Sequence, residues 1–208
     1  MPYGAQIRPE SLSRLVQLIG EQVRHVAPPE LLNAGPLELR ESFELWALGL
    51  DALGHGAHST PAIRRLARPV DRWHHQLAFG GRLAAFARSS ASPLSGEHQL
   101  EELFVSPIAQ RIDEGVAWVD NNAGVEDHVR LLLVPTCHLY TFWLESDELQ
   151  SRFVVIGATG SGREERQDVL LELPPFRMHD EASFLRKLSA TASPAGVLLA
   201  GGRVLIPA

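Results

Sequence analysis

Apolar residues recur at helical spacing through the first part of the chain and at strand spacing through the second. Leu12, Leu15, Val16, Ile19, Val23 and Val26 share one face of a 3.6-residue period. Pro9 suits the first turn of that predicted helix, and Pro28-Pro29 closes it. A second helix is predicted from near Pro36, with Leu39, Phe43, Trp46, Ala47, Leu50 and Leu53 as its stripe. Leu45 and Leu48 widen the stripe, as in a helix packed between neighbours, and Gly54-His55-Gly56 breaks it. A third helix is predicted from Thr60-Pro61, with Thr as N-cap and Pro at the first helical position. Its stripe is Ile63, Leu66, Val70, Trp73, Leu77 and Leu83, kinked at Pro69, with Gly80-Gly81 near its end.

Residues Ser89 to Gly96 form a loop by composition and the best candidate boundary. Beyond it the period shortens. His128 to Val134, His138 to Glu145 and Arg152 to Ile156 are predicted as adjacent strands, the last two joined as a hairpin. Each is apolar on both alternating faces, the pattern of a central strand covered on both sides. In the middle strand Phe142 and Trp143 point to opposite faces. Glu101 to Ile108 and Val116 to Val119 carry weaker strand signals, and Ser106-Pro107 offers a helix start instead. A short helix is expected from Asp180 to Leu188 and a last strand from Arg203 to Ile206. The expected fold is therefore α+β in one domain over 1–208. A helical subregion, 9–90, packs on a mainly antiparallel sheet in a β-rich subregion, 97–208. No internal repeat is visible in the sequence.

Composition narrows the setting. The chain has 208 residues, 45% hydrophobic and 21% charged, with net charge −6. That is a cored globular protein, not a disordered or collagenous one. The acidic balance does not draw it to nucleic acid or anionic lipid. One cysteine, Cys137, cannot form an internal disulfide. The start MPYGAQIRPESL has no basic stretch followed by an apolar one, so no signal peptide is expected. No apolar run approaches the roughly 18 residues of a membrane helix. The expected compartment is the cytoplasm. Lys187 is the single lysine among 19 basic residues, a usage that points to a GC-rich and hence bacterial genome.

Four patterns carry candidate chemistry. Asp51, His55 and His58 precede Asp71, His74 and His75, and Asp/His pairs one helical turn apart share a face. Such a set from adjacent helices offers a divalent-metal site. Arg64, Arg68 and Arg72, with Arg65 beside them, make a basic stripe if helical, suited to an acidic protein surface or phosphates. Cys137-His138 are neighbours on a strand, so they face apart and form no dyad; no GxSxG elbow is present. The run RFVVIGATGSGRE, with Gly157, Gly160 and Gly162, resembles the Walker A motif of P-loop ATPases in its glycine spacing and leading strand. That resemblance implies phosphate binding at the loop. Arg163 replaces the lysine of the motif, and Glu164 replaces the hydroxyl that holds Mg²⁺, so nucleotide binding is disfavoured.

The expectation is a non-catalytic protein-interaction or adaptor module with no cofactor, engaging a protein partner or a second copy of itself. The apolar excess of the central strands motivates it, because one helical layer covers only one sheet face. Two alternatives stand beside it. One is a small-molecule or metal-dependent enzyme using the histidines. The other is nucleotide or nucleic-acid binding through the Gly-rich loop or the Arg stripe.

Overall fold

A helix, α1 (Pro9–Val26), forms where the periodicity puts it, and it buries Leu15, Ile19 and Val23. The computed structural model describes residue 7 and residues 9–49, 63–92, 94–123, 128–146, 150–159 and 169–191. After α1 come a single turn, α2 (Pro29–Leu32), then β1 (Leu37–Leu48), a second single turn, α3 (Ile63–Leu66), β2 (Ala67–Phe79), β3 (Arg82–Ala91) and β4 (His98–Val105). Helix α4 (Pro107–Asn122) leads to β5 (His128–Val134), β6 (Leu139–Glu145), β7 (Ser151–Ala158), β8 (Met178–Asp180) and α5 (Glu181–Thr191). The strands make one eight-stranded sheet in the order β4-β3-β2-β1-β5-β6-β7-β8. Every neighbouring pair is antiparallel except β1 and β5, which run parallel over Leu45–Leu131, Trp46–Leu132 and Ala47–Leu133.

The helical N-terminal half is overturned. The segments predicted as the second and third helices are β1, β2 and β3, so the fold is a large mixed sheet with one long helix before it. Register explains the misleading period. In β1, Leu37 and Leu39 pack against the α1 core, whereas Phe43 and Leu45 pack against the opposite one. Irregularities between Leu39 and Ser42 and between Glu44 and Trp46 interrupt the strict alternation. Apolar residues on both faces, displaced by such shifts, fall at intervals of three and four and imitate a helix. The helix start predicted at Thr60-Pro61 and the strand at Arg203 to Ile206 lie outside the described residues. Ser89 to Gly96 includes the end of β3 and the β3–β4 connection within the same sheet.

The second half follows its pattern. β5, β6 and β7 are adjacent, and β6 is buried along its whole length. Phe142 joins the core under α4, while Trp143 joins the core under α3 and α5. Ser106 caps α4 by accepting from the Ile108 N–H, and Pro107 opens it, so Val116 to Val119 is helical. Gly115 lets α4 lie close to the sheet. A Cβ there would overlap Ile156 Cδ1 and reach Phe142 Cε2 at 3.0 Å.

The architecture is a helix followed by a four-stranded meander, twice: α1 with β1–β4, then α4 with β5–β8. The two helices lie on opposite faces. α1 packs on Leu77, Phe79, Ala85 and Ala87. α4 packs on Phe43, Leu131, Phe142 and Ile156. Ile63 of α3 and Phe184, Leu185 and Leu188 of α5 cover the remaining face of the second meander. The short helix expected from Asp180 to Leu188 thus supplies part of the second layer of cover. Among the described residues, no helix is long and apolar enough to cross a membrane.

Candidate functional site

Strand β2 carries a different polar system on each face. Under α1, a chain of hydrogen bonds crosses four strands. Ser42 Oγ lies 2.8 Å from His75 Nδ1, His75 Nε2 lies 2.7 Å from Ser89 Oγ, and Ser89 Oγ lies 2.8 Å from His98 Nδ1. Ser89 has one proton between two imidazole nitrogens, so at least one ring must donate to it. Burial, then the neighbouring His98, pushes His75 down to about 3. Burial lowers His98 as well. A histidine so reluctant to take a proton is a weak general base at neutral pH. The Ser42–His75 contact therefore reads as a brace between β1 and β2, not as an activated nucleophile.

On the opposite face, His74 stacks on Phe86 with centroids 4.4 Å apart and lies 6.5 Å from the Phe43 ring. Neither ring nitrogen has a partner. Burial, then the Arg88 charge, holds His74 well below the usual imidazole range. Gln76 donates to the Ala109 carbonyl in the first turn of α4. Arg88 donates to Tyr140 Oη at 3.1 Å and Glu102 Oε2 at 3.2 Å, and its guanidinium lies over the Phe86 and Phe104 rings.

The proposed basic stripe is not one helical face. Arg64 sits in the single turn α3, while Arg68 and Arg72 are in β2. Arg64 and Arg130 both bond the buried carboxylate of Glu145. Burial raises Glu145, but the hydrogen bonds and charges of Arg130 and Arg64 outweigh it and hold the carboxyl below its usual range. Arg130 also lies over Trp46 and Trp143, at 5.3 and 4.9 Å from their centroids. Arg72 pairs with Glu101 at 2.7 Å. Arg65 and Arg68 are exposed.

The other candidates disperse. Asp51, His55, His58, Gly160, Gly162 and Arg163 lie outside the described residues. Asp71 is exposed, and His74 and His75 project to opposite faces. Among the described residues, no group of three His, Cys, Asp or Glu side chains converges as a metal site. Gly157 is buried in β7, facing Ile108 and Arg111 of α4. Cys137 ends a 3₁₀ turn, and His138 adopts a left-handed conformation before β6 begins.

The feature that remains is β4, the longer of the two edge strands of the sheet. Among the described residues β4 pairs only with β3, leaving eight residues of edge. Against its inner face lies α1, and between them runs a groove of about 440 Å³. Leu18 and Gln22 of α1 and Gln99, Leu100 and Leu103 of β4 line it, with Glu101 and Glu102 beside them. Phe104 and Val105 remain 37% and 48% exposed at the end of the strand. The sequence carries only a weak strand signal here, from Glu101 to Ile108, because HQLEELFV mixes acidic residues into its alternation. Sequence reasoning missed Ser42, Ser89 and His98, for which only the polar residues interrupting apolar runs gave a signal. Comparison of the chain with protein-family models, with curated proteins and with solved structures returned no match.

Proposed function

We propose that the chain is a non-catalytic protein-interaction module, an adaptor working in a bacterial cytoplasm. One observation carries the reading: an eight-stranded sheet ends in a full-length strand, β4, with a lined groove on one side and exposed Phe104 and Val105 at its tip. An unpaired strand edge is a template for another chain unless it is blunted. The shift of register between Arg88 and Ser89 and the two glutamates blunt β4 against indiscriminate pairing without covering it. The compartment rests on the single cysteine and the near-exclusive use of arginine.

Hydrogen exchange of the purified protein, alone and with proteins cross-linked to it in its native host, tests the reading. The expected result is a partner of fixed stoichiometry that protects β4 and α1 amides. A protein that stays monomeric, gains no protection anywhere and turns over a substrate overturns it.

A further inference from the structure

Resting on the interaction reading, we infer that the β4 edge accepts an extended segment of another protein carrying basic residues, rather than a second copy of this chain. The edge dictates the form of the occupant. Main-chain donors and acceptors of β4 not used by β3 are matched by a strand added beside it, and alternate side chains of that strand point towards each face. On the α1 side they enter the groove between Leu18, Leu100 and Leu103, which calls for apolar side chains.

Charge selects between occupants. Glu101 and Glu102 sit at the middle of β4, with side chains 28% and 38% exposed. Each has one ion pair inward, to Arg72 and Arg88 respectively. When β4 pairs antiparallel with its own copy in the fullest registers, Glu101 or Glu102 faces Glu101 or Glu102 of that copy. The in-register parallel arrangement repeats the conflict. Like charges directly opposed across strands are destabilising, and opposite charges there are favourable. A segment with Arg or Lys at the central position and apolar residues at alternate positions relieves the clash. It also suits a chain of net charge −6.

The test is selection of displayed random eleven-residue peptides on the full chain, followed by calorimetry with the synthetic winners. Enriched peptides are expected to alternate apolar residues with Arg or Lys, and to protect β4 amides from exchange. Binding should weaken about tenfold or more with the double variant Glu101→Lys, Glu102→Lys. Because that variant removes two internal ion pairs, Leu18→Arg on α1 serves as the second probe. It should block the groove with both ion pairs intact, and circular dichroism should report unchanged folding. Peptides lacking basic residues, or binding both variants at wild-type strength, overturn the inference. So do failure to enrich any peptide and a concentration-dependent dimer protected along β4. Basic peptides that protect another surface overturn this site while leaving the interaction reading in place.

Discussion

His74 and His75 are adjacent in β2, yet one ring is stacked on Phe86 with no hydrogen bond and the other is bonded at both nitrogens. The pleat sends neighbouring side chains to opposite layers. Two equally buried imidazoles therefore differ entirely in what their loss removes.

His74→Leu should leave the protein as stable as it is or raise stability by about 1 kcal/mol. The substitution removes a buried polar group that has no partner, whose desolvation costs about 1–3 kcal/mol. Urea unfolding at pH 8 checks this, and a loss above about 1 kcal/mol would reveal a bond to the ring. His75→Leu, which removes the ring partner of Ser42 and one of the two ring partners of Ser89, should instead cost about 2 kcal/mol.

Both histidines also make stability fall in mild acid. Their folded values lie below the ordinary 6.5, so the unfolded chain takes protons first. Their contribution is whole above about pH 6.5 and is lost as pH drops towards the folded values, which for His75 is about 3. His75, with its folded value of about 3, removes about 2 kcal/mol between pH 8 and pH 5. His74, shifted in the same direction, adds to that loss, so His74→Leu should lose less stability than wild type over that interval, measured by urea unfolding at the two pH values.

At the α4–sheet contact, Gly115→Ala should destabilise, although alanine in a helix interior usually gains about 1 kcal/mol over glycine. The new methyl overlaps Ile156 Cδ1 and presses Phe142, an overpacking cost of about 1–3 kcal/mol. Ile156→Val removes the overlapping atom. The double variant should accordingly be less destabilised than the two single changes summed, by thermal or urea unfolding.

Glu145 holds two arginines, so its neutralisation should cost more than the loss of either one's outer contact. Glu145→Gln leaves Arg130, over Trp46 and Trp143, with only the half-buried Glu44 carboxylate at 3.7 Å as counter-charge and should cost about 2 kcal/mol. Arg64→Ala, at a half-exposed guanidinium, should cost about 1 kcal/mol. Equal losses in urea unfolding would contradict this ordering.

Legibility followed the regularity of each element. α1 is one clean amphipathic helix with proline boundaries, and β5, β6 and β7 are short apolar runs separated by turns, so both were readable. α5 began within one residue of its predicted start. β1 was not readable, because its shifts at Leu39–Ser42 and Glu44–Trp46 exchange inward and outward positions in mid-strand. Errors there carried the histidines and arginines onto helices they do not occupy. The Ser42–His75–Ser89–His98 chain needs strand pairing in space, which local spacing does not encode. The β4 edge was hidden for a different reason: an edge is defined by which neighbour is absent from its side, a property of the whole sheet.

The parallel seam between β1 and β5 is the sheet pairing of longest range in sequence. Each meander is built from hairpins whose partners are close in sequence, and those close early. The seam joins residues about 85 positions apart, such as Leu45 and Leu131, and gains only three residue pairs for that loop closure. Helix α4 spans that seam, packing on Phe43 and Leu45 of β1 and on Leu131, Phe142 and Ile156 of the second meander, so the contact that costs most in loop closure is also the one a helix clamps from above.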